Sequence, residues 1–380
     1  MRTMEIVDRN TTDEPTGTVT NKSQNGTTRP WLLLLFNCML VTVGGVSSPL
    51  LLRCYYLHGG NRKWLASWLQ NVAFPLFLIP ISAPLLLKRQ SNNTNYSHNL
   101  SHFVMNKRLF YASVTLGVLY GASSFCMALG LRNIPVSTST LLMATQLAFT
   151  AVFAFLMVKQ RFTAFSVNAV VLLMLGSVIL GLHSSGDRPS GVSNGEYVLG
   201  FVMTLAAAAS LGFILPFVEL SYKKAGMVSV TYGLVMQVQF VSCLVATIFC
   251  TVPMIVNHDF QAIRREGKEY GLGETKYYLV LTFTAIATQA TVMGNLGVIF
   301  CSSSLFTGVL QTMLLPVQQV FAVIFFKEKF NSEKGISLVL ALWGFISYFY
   351  GEYKLMRNNT QRQPSVNGHE NVIQHIVVQP

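Results

Sequence analysis

Ten stretches of 17 to 26 residues in this chain contain no Asp, Glu, Lys or Arg: 31–52, 65–87, 109–131, 134–158, 162–182, 197–218, 231–256, 277–300, 303–326 and 335–351. About 20 apolar residues in a helix cross the ~30 Å hydrocarbon core of a bilayer. Lipid offers no partner to a bare N–H or C=O, so each such stretch must close its own hydrogen bonds as a helix. The whole chain has the same bias: 51% of residues are hydrophobic and 11% charged, against roughly 25% charged in soluble domains. The expected fold is an all-α integral membrane protein with ten transmembrane helices.

Part of the sequence occurs twice. With an offset of 168 residues and no gap, Val152, Phe153 and Ala154 fall on Val320, Phe321 and Ala322. Lys159, Phe162 and Gly176 fall on Lys327, Phe330 and Gly344. Each copy is an apolar run, a basic turn (KQRF or KEKF) and a second apolar run. The offset carries spans four and five onto nine and ten, so each half holds five spans. Five is odd, and the second half must therefore enter the membrane upside down, giving two inverted five-helix repeats. The expected organisation is a disordered polar tail at 1–30, a first repeat at 31–182, an inter-repeat loop at 183–196, a second repeat at 197–353 and a disordered tail at 354–380. KQRF and KEKF then lie on opposite faces. With the termini in the cytosol, the tails and even-numbered loops carry 15 of the 27 Lys and Arg, the direction the positive-inside rule favours.

The net charge of +12 resides in loops and tails. It suits anionic lipid headgroups, and nucleic acid is not an expected partner because no folded soluble module presents a basic face. The mixed-charge run 257–276 reads as a solvated surface helix or loop. The six cysteines form no CxxC pair and read as small buried hydrophobes. No catalytic residue, metal or cofactor is expected: there is no HExxH, no intramembrane Asp, and no His–Asp pair within one span.

Uncharged polar side chains remain. In span four, Ser139, Met143, Gln146 and Thr150 recur at i, i+4, i+7 and i+11, one stripe of a helix. The offset gives Thr307, Gln311, Leu314 and Gln318. Gln146, Thr150, Gln311 and Gln318 are candidate ligand-binding residues, though buried amides also join helix to helix. Asn71, Tyr120, Gln289 and Asn295 are further candidates, as are Gln237 and Gln239. Pro75, Pro80, Pro84, Pro216 and Pro316 interrupt the backbone ladder within spans.

No Lys or Arg lies in the spans to hold a phosphate. The cargo is therefore neutral or weakly charged, flat, and edged with donors and acceptors. Amides pair two-fold with an adenine-like edge, which describes a purine among other heterocycles. An importer, an exporter of another small metabolite and a non-transporting receptor share these features.

Several strings are similar to the plant purine permease family of the drug/metabolite transporter superfamily. They are YYLHGGNRKWLASWLQNVAFPLFLIP at 55–80, IPVSTSTLLMATQLAFTAVFAFLMVKQRFT at 134–163, GFILPFVELSYKKA at 212–225, and the run from LGVIF at 296 to GEYK at 354. The resemblance extends from Trp31 to Lys354. Family motifs fall on Gly59, Gly60, Arg62, Trp64, Gln146 and Glu219. The resemblance implies uptake of adenine-type bases, cytokinins and related heterocycles or alkaloids, coupled to protons. The expected location is the plasma membrane, with a vacuolar or other internal membrane as the alternative. Proton coupling usually needs a titratable group within reach of the pathway. Glu219, after Pro216 in LPFVEL, is the candidate; its other reading is an interfacial anchor beside Lys223 and Lys224.

Overall fold

The structure, a computed structural model, describes residues 29–81, 106–158, 164–182, 191–224, 232–301 and 304–362. Among the described residues all regular structure is helical. The helices are α1 (Arg29–Leu57), α2 (Lys63–Leu69), α3 (Lys107–Asn133), α4 (Val136–Met143), α5 (Gln146–Val158), α6 (Ala164–Leu182) and α7 (Asn194–Lys224). They continue with α8 (Tyr232–Val256), α9 (Asp259–Glu269), α10 (Glu274–Cys301), α11 (Ser304–Phe326) and α12 (Ser332–Arg362), and a 3-10 turn at Phe74–Phe77 follows α2. Among the described residues eight segments are long and apolar enough to cross a membrane, and two shorter apolar ones are Ala164–Leu180 and Met313–Phe326. These overlap the ten expected spans one for one. The KQRF turn and most of the expected terminal tails lie outside the described residues; α12 continues to Arg362, so the start of the tail expected from 354 is helical instead.

The outer surface is hydrocarbon. Leu32, Val43, Ile324, Phe325, Val339 and Trp343 are all more than 60% exposed, a surface that water would penalise and acyl chains do not.

Side-chain bonds fix which helix ends share a face. The Arg53 guanidinium, near the end of α1, donates to the terminal carbonyls of α3 at Leu131 (2.6 Å) and Arg132 (2.9 Å). A buried cation there satisfies two orphan carbonyls and the negative end of the helix dipole. Glu328, just beyond α11, accepts from the first amides of α4 at Val136 (2.8 Å) and Ser137 (3.0 Å). Gly271, between α9 and α10, donates to His58 O at 2.9 Å. The ends of α1, α3 and α11 and the starts of α4 and α10 therefore meet on one face, called here the latched face. α4 starts where α11 ends, so those two segments run antiparallel.

Inside the bundle α1 lies along α10, α3 along α7 and α8, and α6 along α12. Glycine allows these approaches: a Cβ on Gly200 of α7 would sit 2.7 Å from Asn133 Cβ, and one on Gly117 of α3 would sit 2.6 Å from Ser242 O. The core is widest at the latched face, where Tyr55, Leu65, Leu131, Met254, Tyr270 and Tyr277 pack together.

Two spans are interrupted. Span two breaks after Leu69, where Pro75 lacks the N–H that would continue the ladder, and the chain passes through turns into the 3-10 segment. Span four breaks at Ala144–Thr145 without proline or glycine. There the Thr145 amide and hydroxyl both bond Leu142 O, at 3.0 and 2.7 Å, tightening the turn and ending α4. The corresponding segments α8 and α11 run unbroken, α11 through Pro316.

Candidate functional site

The break in span two places Gln70 and Asn71 at the bundle interior. The Asn71 side-chain amide donates to Ser67 O (3.2 Å) and to the Ser124 hydroxyl on α3 (2.9 Å). That of Gln70 donates to Ala66 O (3.2 Å) and Ser124 O (3.1 Å). Gln70 O, released by the irregular backbone, accepts from Gln289 Nε2 of α10 at 2.9 Å. Gln289 lies beside Cys243 Sγ of α8 at 3.9 Å, and Gln239 Nε2 donates to the same sulfur at 3.3 Å. Gln239 in turn stands beside the Tyr120 hydroxyl of α3. Four helical segments thus converge on one polar network. Tyr120 and Gln289 stand near the middle of their helices, at the depth of the bilayer centre.

Four expected candidates, Asn71, Tyr120, Gln239 and Gln289, come together here. Gln70, Ser124 and Cys243 complete the network without having been marked by the sequence. A Ser or Cys within an apolar run carries no periodic signal, and Gln70 acquires its role only because the helix breaks beneath it.

The duplicated stripe is arranged differently. Gln146 is the first residue of α5, at the break in span four, and is half-buried; the Thr150 hydroxyl bonds Gln146 O of its own helix at 2.9 Å. α7 presses against this point through Gly212, whose Cβ would stand 2.9 Å from Gln146 O. On α11, Thr307 and Leu314 are buried, and Gln318 donates to Gly45 O of α1 at 3.0 Å. Gln311 shares that inward stripe and is nevertheless exposed. Gln146 and Gln311 are not hydrogen-bonded to the Gln70–Gln289 network among the described contacts.

Asn295 is half-buried, and its Oδ1 is a buried acceptor with no partner among the described residues. It lies one turn from Val298, and Gln311 one turn from Leu314; Val298 and Leu314 pack in a single cluster with Val41. Because α10 leaves the latched face and α11 returns to it, Asn295 lies one turn nearer that face than Val298, and Gln311 one turn farther from it than Leu314. Glu219 is half-buried on α7, three residues beyond Pro216, through which the helix continues. Among the described residues no three His, Cys, Asp or Glu gather as a metal site would require.

The family-like motif after span one acts at the latched face. Gly59 has φ +107°, open to glycine, and a side chain on Gly60 would collide with the Tyr55 ring. Trp64 stacks on Phe125 with centroids 4.1 Å apart. Arg62 reaches Asp259 at 3.1 Å and Glu266 at 3.7 Å, and Tyr55 donates to Glu266 at 2.6 Å. The sequence reading of 257–276 as solvated is thus corrected in part: α9 is a surface helix, yet its Asp259 is buried. Burial pushes the Asp259 carboxyl above its ordinary range, and the Arg62 charge opposes the shift.

The sequence profile described as purine nucleobase transmembrane transport matches residues 32–358. The chain belongs to this family. It is 44% identical to purine permease 3 of Arabidopsis thaliana over 322 residues, covering 85% of this chain and 91% of that protein. Purine permease 2 of the same plant is also 44% identical, over 334 residues, covering 85% and 92%. Probable purine permease 11 is 35% identical, covering 84% and 82%. Membership makes this purine nucleobase transport family protein an integral membrane transporter and not an enzyme. The matched region contains every candidate residue named above.

Proposed function

We propose that the chain imports purine nucleobases, cytokinins or similar neutral planar heterocycles by alternating access, coupled to protons, at the plasma membrane. The observation that carries the site is the Gln289–Gln70 bond. It joins the broken span of the N-terminal half to a mid-membrane helix of the C-terminal half, where cargo would meet both.

The working units are two five-helix repeats, 31–182 and 197–353, inverted relative to one another. Two facts support this. The antiparallel course of the span-four segment and α11 is what inversion requires. The pairing of α1 with α10 also recurs, with the 168-residue offset, in the pairing of α7 with α3.

Cargo in this reading sits between Gln146, Thr150, Gln311 and Asn295 on one side and Asn71, Tyr120 and Gln289 on the other. Gln318 holds α11 to α1 beside it. Amide and hydroxyl groups match the alternating donors and acceptors of a purine edge, and no charge is present to demand a phosphate. Glu219 is the proton-linked carboxylate, in a helix carrying Pro216 one turn earlier.

Radiolabelled adenine uptake in cells lacking their own base permease tests the proposal. Uptake that rises as the outer pH falls supports proton-coupled import. Adenine loss from preloaded cells without uptake would favour the exporter, and binding without flux the receptor.

A further inference from the structure

The N-terminus of α4 is held by side chains from the other half of the chain. Glu328 accepts from the amides of Val136 and Ser137 and from the Ser137 hydroxyl. Lys334, 1% exposed, donates to Ser137 Oγ at 2.7 Å and to Lys329 O at 2.9 Å. Gln319 Nε2 donates to Ser137 O at 2.9 Å. Four side-chain contacts from the C-terminal half thus meet on one serine. A carboxylate on free helix amides forms charge-assisted bonds, and it also complements the positive end of the helix dipole.

The turn that delivers Glu328 is strained. Lys327 takes a left-handed φ of 50°, a conformation usually left to glycine, immediately after α11 ends. At its other end α4 is separated from α5 by the break at Ala144–Thr145, with Gln146 as the next residue. All seven residues Val136–Leu142 are buried. α4 is therefore a short rigid rod, gripped at one end and jointed at the other, with a candidate cargo residue at the joint.

The 168-residue offset supplies a further observation. Glu328, Lys334 and Ser137 correspond to Gln160, Ser166 and Leu305. The charged grip has no charged counterpart in the other copy.

We propose that α4 is the gate of the latched face: it pivots at Ala144–Thr145 when the Glu328 and Lys334 contacts to Ser137 are released. This rests on the alternating-access reading above. The grip biases the empty protein towards closure at this face, and cargo at Gln146 acts on the joint. Hinged segments of this kind complete or release a site by changing few backbone angles.

The test reads the gate without relying on transport. Ser139 lies two residues beyond Ser137 and is fully buried. In purified full-length protein in lipid nanodiscs, Ser139→Cys should react slowly with a hydrophilic thiol reagent, above the background of the native cysteines. Adding Glu328→Gln should raise the rate about tenfold, as expected for loss of a charge-assisted bond. Ser137→Ala, a milder change that spares the carboxylate, should raise it by a smaller factor. Unchanged labelling in both well-folded variants overturns the proposal. A second arm places Ser137→Cys and Glu328→Cys together and joins them with a short, reducible bifunctional thiol reagent. Adenine flux should stop and return on reduction; flux that persists through the cross-link also overturns it. Altered labelling in a protein that carries no adenine would leave the gate standing and remove the cargo reading.

Discussion

Gln289 Nε2 donates to Gln70 O across 2.9 Å, so the carbonyl freed by the break in span two is satisfied by a side chain 219 residues away. Gln289 is 1% exposed, and nothing else replaces its donor in a dry interior. Gln289→Leu keeps most of the volume but strands that carbonyl, at about 1–3 kcal/mol. The detergent-solubilised variant should melt several degrees lower and lose adenine uptake. Unchanged melting would show that the bond carries no structural role.

Gln311 gives the opposite expectation. It is exposed on an otherwise inward stripe, so Gln311→Leu removes hydrogen bonding without opening a cavity. The melting temperature and surface expression should hold while KM for adenine rises about tenfold, the equivalent of roughly 1.4 kcal/mol. Gln146→Leu, at the joint between α4 and α5, should raise KM similarly. Wild-type kinetics in both variants would remove these residues from the site.

The Arg62–Asp259 contact predicts a pH-dependent defect. The folded-state pKa of Asp259 is raised by burial, so its ionised form disfavours the fold above that pKa. The penalty fades as pH falls and the carboxyl takes up a proton. Arg62 opposes the penalty, and Arg62→Ala should enlarge it, at about 1–3 kcal/mol near neutral pH. The gap in melting temperature between wild type and Arg62→Ala should narrow as pH falls from about 7.5 towards the ordinary carboxylate range. Asp259→Asn in the Arg62→Ala background should shrink the gap near neutral pH to what the lost Arg62–Glu266 contact leaves. A gap that widens in acid would reverse the assignment.

The ten apolar runs were legible because lipid imposes composition directly: a charge in the wrong place costs more than packing can return. Pro75 also announced the break in span two. The break in span four was hidden, since LLMATQL holds neither glycine nor proline, and a threonine hydroxyl makes the turn. Nor does any local pattern join Gln70 to Ser124, or Arg62 to Asp259, across 54 and 197 residues. Such pairs exist only once the helices are packed. The Gln146 and Gln311 stripe was visible as periodicity, but period alone does not separate an exposed Gln311 from a Gln318 tied to Gly45.

Glu219 tests energy coupling. Glu219→Gln keeps the shape and hydrogen-bonding capacity of the side chain while removing its titration. Exchange of labelled for unlabelled adenine should persist, and accumulation driven by an acid-outside gradient should be lost. Full gradient-driven accumulation in Glu219→Gln would place coupling on another group.

The central claim is that this chain alone carries a purine base through the membrane. Purified protein reconstituted in liposomes, loaded with unlabelled adenine and exposed to radiolabelled adenine outside, measures that directly. The account predicts label entering faster than in protein-free liposomes, with excess unlabelled adenine outside suppressing it and a sugar phosphate leaving it unchanged. Entry no faster than in protein-free liposomes, from protein shown to be folded, would contradict it.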